Sequence, residues 1–144
     1  MSTWPADIDL GQRFSHPANA GILGFLEAKY PFSAHGDLAE ELLVLAKEIP
    51  EAHSYCPDNA NFAYWFLYAN SGVIFAFAID MWKLSFRLPG CATDALADGG
   101  VCQEEFGSDW FAFEAFGGRR DERRIRSSYW LKKAFTLANE AGSS

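Results

Sequence analysis

The run NFAYWFLYANSGVIFAFAIDMWKLSFRLPG, residues 61–90, limits most strongly what this chain can fold into. A segment this apolar suits a membrane span, a ligand pocket or the middle of a sheet. A spanning helix needs about 20 nearly unbroken apolar residues. Asn70, Ser71 and Gly72 interrupt the run, and Asp80, Lys83 and Arg87 follow, so no window reaches that length. The pieces on either side of Asn70 are strand-sized and rich in the aromatic and β-branched residues that favour strands. Asn-Ser-Gly suits a three-residue hairpin loop, with Gly72 able to take a positive φ. The sequence therefore predicts a hairpin of residues 62–69 and 73–79. Phe62, Tyr64, Phe66 and Tyr68 fall on one face of its first strand. Ala63, Trp65, Leu67 and Ala69 fall on the other.

The next piece alternates. Trp82, Leu84, Phe86 and Leu88 point one way, and Lys83, Ser85 and Arg87 the other, which predicts a half-buried strand ended by Pro89-Gly90. Asp80-Met81 is a poor hairpin turn, so the join between the second and third strands stays open. A fourth strand is predicted over residues 110–116. Residues 37–49 read as a helix, because Leu38, Leu42, Leu45 and Ile49 form one stripe. Ser33 or Asp37 is its candidate cap and Pro50 stops it. Residues 122–140 read as a second helix with Trp130, Leu131, Ala134, Phe135 and Ala138 on a shared face, followed by a frayed tail. Residues 17–29 suit a third, shorter helix, although Gly21 and Gly24 each weaken it by about 1 kcal/mol. A helical turn at 92–97 precedes a Gly99-Gly100 break.

Strands joined by short turns and flanked by helices give an α+β fold. The expectation is an antiparallel sheet of four to six strands, two main helices packed on it, and an N-terminal extension. Residues 1–32 would be that extension and residues 33–144 a single domain. Neither face of the strand at 62–69 is polar, so a sheet with helices on one side needs a second cover. The candidates are the extension, a second subunit making a homodimer, or a ligand. Tyr64, Phe66, Tyr68 and Glu114 are the candidate pocket or interface residues. Glu114 would have a raised pKa if buried; the simpler reading is an exposed position beside Lys83 or Arg87.

Charge is distributed unevenly. Residues 1–118 carry five basic and sixteen acidic side chains, a net of −11, and residues 119–144 carry seven and three, a net of +4. Five of the seven arginines lie in GGRRDERRIR, residues 117–126: Arg119, Arg120, Arg123, Arg124 and Arg126. Positive charge at a helix start opposes the helix dipole. An anionic partner, nucleic acid or an acidic protein, would offset it; so would Asp121, Glu122 and the acidic body of the chain itself. The acidic body argues against a general DNA coat protein.

Other chemistry is sparse. His53 and Cys56 have the spacing H-x-x-C, and Cys91 and Cys102 would complete a four-ligand zinc set, but the remaining spacings fit no zinc knuckle. Buried free thiols are the plainer reading, and no metal is assigned. His16 and His35 read as loop residues. Asp37, Glu40, Glu41, Glu48 and Glu51 lie on or beside the first long helix, as an acidic ridge or a solvated face. No nucleophile elbow, phosphate-binding loop, dinucleotide fingerprint or H-E-x-x-H is present. No cofactor or catalytic residue is assigned, and the reading leans away from an enzyme. Three cysteines and the lack of an export signal at the N-terminus suggest the cytoplasm.

The order of a helix, IPEAHSY, a strand, ANSGVIFAFAI, KLSFRLPG, DWFAFEAF and WLKKAFTLA resembles the YjbR/MmcQ-like proteins. These are related in fold to the TfoX N-terminal domain and to CyaY-like small α+β domains. The resemblance covers residues 33–140 and rests on packing motifs. It implies the α+β fold, DNA binding as suggested for some members, and weak cation binding by the acidic ridge as in CyaY-like relatives. It carries no catalytic residue onto this chain.

Overall fold

The computed structural model describes residues 14–29, 36–55, 65–78, 82–116 and 119–142. The strands are β1 (His53–Tyr55), β2 (Trp65–Tyr68), β3 (Ile74–Ala78), β4 (Lys83–Arg87), β5 (Val101–Cys102) and β6 (Trp110–Glu114). The helices are α1 (Ala20–Lys29), α2 (Gly36–Ala46), α3 (Ala92–Ala97) and α4 (Arg120–Gly142), with a 3-10 turn over Pro17–Asn19. The strands make one sheet in the order β1-β2-β3-β4-β6-β5, and every neighbouring pair is antiparallel. This is the expected α+β architecture, with two short edge strands beyond the four read individually.

The Asn-Ser-Gly loop closes the β2–β3 hairpin as its chemistry requires. Gly72 takes φ 91° and its N–H donates to the Ala69 carbonyl at 2.8 Å. One residue into β3 the ladder slips. Tyr68 faces Ile74 and Leu67 faces Ala76, so Phe75 is an extra residue. A bulge of this kind breaks strict alternation. Phe75 consequently packs on Phe135 of α4, whereas Phe77, two residues on, packs on Phe25 and Phe106 on the opposite side.

α2 and α4 cover one face of the sheet, over β3 and β4. The predicted stripe of Leu38, Leu42, Leu45 and Ile49 meets Leu67, Phe75, Leu84, Phe86 and Phe113 there, together with Trp130, Leu131, Ala134 and Ala138. Trp82 departs from the expected alternation. It precedes the first laddered residue of β4 and is 53 % exposed.

The chain's own N-terminal segment covers the other face. Phe14, Ile22, Leu23 and Phe25 join Tyr55, Phe66, Tyr68, Ile74, Phe77, Phe106 and Trp110 in a second core. Phe14 sits edge-on to Tyr55, Phe66 and Tyr68, with centroids at 5.7, 5.1 and 5.0 Å. Asn19, wholly buried, fastens the segment. Its amide donates to the carbonyls of Phe14 and Gly72, both at 2.9 Å, and its oxygen accepts from the Ile74 N–H at 2.8 Å. Gly21 lets α1 approach the 106–107 turn. A Cβ there would lie 2.1 Å from the Phe106 carbonyl oxygen. The glycine that weakens α1 as a helix is thus what its packing needs. Because this face is covered, β4 is not half-buried: Ser85 is only 3 % exposed. Within residues 14–25, Phe14, Ile22, Leu23 and Phe25 thus share a core with the sheet. The predicted residues 1–13, 30–35 and 56–64, which include Ser33, His35, Cys56 and Tyr64, lie outside the described residues.

Candidate functional site: the arginine side of α4

The structure divides the arginine cluster. Arg124 turns toward α2, where its Nε and Nη2 donate to the Glu41 carboxylate at 2.6 and 2.8 Å. That two-pronged geometry is the strong form of the pair, and the hydrogen bond to Glu41 raises the Arg124 pKa further. Just past the end of α2, Glu48 accepts a hydrogen bond from the Ser128 hydroxyl and lies 3.3 Å from the Lys132 Nζ. The ridge residues Glu41 and Glu48 therefore form the polar seam between α2 and α4.

Arg119, Arg123 and Arg126 are spaced i, i+4 and i+7, which places them on another side of the helix. The Arg123 guanidinium lies over the Phe116 ring at 6.0 Å and that of Arg126 over the Phe113 ring at 5.9 Å. Arg126 also donates from Nη2 to the Glu114 carbonyl at 3.0 Å, and its buried Nε has no hydrogen-bond partner. Arg119 is the most exposed of the three, and its contact to Glu122 is long, at 3.9 Å. The side chain of Arg120 is outside the described residues. The five arginines are accordingly not one cluster. One of them ties two helices together, and three line a single flank.

The aromatic candidates separate as well. Phe66 has no exposed surface and stacks on Tyr55 at 4.9 Å, so it is a core residue rather than part of a pocket or interface. Tyr68 is half-buried beside Phe14, and its ring stacks on His53 at 5.2 Å. The His53 Nε2 lies 2.6 Å from the Asn70 Oδ1. Glu114 is exposed and stands opposite Lys83 in the ladder, the simpler of the two arrangements weighed for it.

The four-ligand zinc set does not assemble. His53 is on β1 and Cys102 on β5, the two outermost strands of the six. At about 4.8 Å per strand, that separation is roughly 24 Å. Cys91 sits at the start of α3, and the Cys102 thiol is directed at the Ser108 carbonyl at 3.9 Å. Among the described residues no group of three or more His, Cys, Asp or Glu is arranged to hold a metal, and no helix is long and apolar enough to cross a membrane.

Two pairings were not predicted from the sequence, one at this site and one on the other face of the sheet. Trp130 stacks on Phe113 at 5.5 Å and its Nε1 donates to Asp98 at 2.7 Å, which pins α4 to the end of α3. Arg87 is half-buried on the second face, where burial lowers its pKa and the Asp109 charge partly restores it. Comparison with family models, with curated proteins and with solved structures found no match.

Proposed function

We propose that this chain is a non-enzymatic binding module that contacts an anionic partner through the Arg119, Arg123 and Arg126 side of α4. The observation that carries the reading is the pre-placement of two guanidinium groups over the rings of Phe116 and Phe113. A guanidinium held on an aromatic face loses less freedom when an anion arrives, and it keeps its edge for carboxylate or phosphate. The +4 charge of residues 119–144 points the same way. Glu41 satisfies the Arg124 guanidinium within the fold. The resemblance to proteins with suggested DNA binding makes duplex DNA one candidate anion and an acidic protein the other.

The test is titration of labelled polyglutamate and of duplex DNA with the full chain at low and moderate salt. Arg119→Ala with Arg123→Ala should weaken binding about tenfold or more, and the wild-type affinity should fall steeply as salt rises. Absence of binding to either polyanion at low salt overturns the proposal.

A further inference from the structure

Beside the arginine flank, α4 carries large apolar side chains that stay exposed. Ile125 is 69 % exposed and Tyr129 is 58 % exposed. Four residues apart, they lie one above the other on the helix. The Tyr129 ring meets Trp130 edge-on at 4.9 Å, and Trp130 binds Asp98 just after α3. The Arg126 Nη1 comes to within 3.8 Å of where a Gly99 Cβ would stand. α3 and β5 flank that loop and add exposed Leu96 and Val101. Among the described residues, two of the five exposed large hydrophobics are on α4 and two on α3 and β5, which are linked to α4 by the Trp130–Asp98 bond.

We infer that the anionic partner is an acidic protein segment with large apolar side chains, seated on the outer side of α4. Arg119 and Arg126, on the flank that adjoins Tyr129, take its carboxylates, and Ile125 and Tyr129 are its apolar anchors. This rests on the reading of α4 as an anion-binding face. A phosphate backbone offers nothing apolar to an exposed isoleucine. Arginine and tyrosine clustered with an apolar neighbour are instead what protein interfaces concentrate. Charge favours the same occupant. The −11 carried by residues 1–118 repels a long polyanion such as duplex DNA, whereas a short acidic segment confined to the +4 end avoids most of that field.

The probes are a short amphipathic peptide of Glu, Leu and Phe, polyglutamate, and duplex DNA, read by fluorescence anisotropy with the full chain at low salt. The variants are Ile125→Ser with Tyr129→Ser, and Tyr129→Ser alone should the pair lower the melting temperature. The amphipathic peptide should bind about tenfold tighter than polyglutamate, and the serine variants should lose that tenfold while binding polyglutamate as before. Equal binding of the two peptides, or serine variants that bind the amphipathic peptide like wild type, overturns the inference and leaves the anion-binding reading standing. DNA binding as tight as peptide binding also overturns it, as does a dimer in light scattering that the serine variants abolish. No binding to any of the three probes overturns both.

Discussion

The two faces of the sheet are filled by different means. α2 and α4 cover the first with Leu and Ala stripes repeated at helical spacing. The second is covered by Phe14 and α1, with Phe106 from the turn before β6. What the second cover lacks in length it recovers in ring area. Each buried aromatic side chain removes about 150–250 Å² from water, and Phe14 alone touches three rings. Position then depends on two local devices, the Asn19 hydrogen bonds and the close approach at Gly21. A face covered by repeated stripes tolerates local errors, because many contacts share the load. A face covered by one short segment should fail at single points.

The largest expected effect sets the baseline. Phe86→Ala on the helix side and Phe77→Ala on the second side, both wholly buried, should each cost about 3–5 kcal/mol. Urea unfolding measures both. A much smaller cost for Phe77→Ala would mean that the second face is a loose cover rather than a second core.

Asn19→Ala strips the buried Ile74 N–H of its acceptor and should cost about 1–3 kcal/mol. Gly21→Ala pushes a methyl into a backbone carbonyl, which cannot rotate away, and should cost a similar 1–3 kcal/mol. The diagnostic is where the loss appears. Hydrogen exchange should quicken at Ile74 and along α1 while amides of α4 around Trp130 stay protected. Uniform quickening throughout the molecule would show that the two faces open together and that the contrast between them has no energetic meaning.

The same contrast explains what could be read beforehand. α2 was legible because Leu38, Leu42 and Leu45 keep one period; it closes at Ala46, short of the Pro50 expected to stop it, and Ile49 joins the stripe from the turn beyond. The hairpin was legible because Asn-Ser-Gly has one plain use. The split between Phe75 and Phe77 was not, because a bulge shifts phase without any residue type that announces it. The second cover was legible only as one of three candidates, because Gly21 and Gly24 lower helix propensity, and propensity does not record the carbonyl that Gly21 must approach. In the candidate site, the arginine run was visible as charge, but its division was not. That division depends on Glu41, distant in sequence and brought alongside by the packing of α2 on α4.

The smallest expected effect tests that division. Arg124 and Glu41 form a two-pronged pair whose side chains are 30 % and 14 % exposed, so solvent only partly screens it. A double-mutant cycle with Arg124→Met and Glu41→Gln should return a coupling of about 1 kcal/mol, reduced at high salt. The same Arg124→Met variant should bind polyglutamate nearly as well as wild type, because its charge is already satisfied within the fold. Arg119→Ala should do the reverse, leaving the urea midpoint unchanged and weakening the polyanion. If Arg124→Met instead loses binding and keeps stability, then the arginine facing α2 is the functional one, and the site belongs on the α2–α4 seam rather than on the opposite flank of α4.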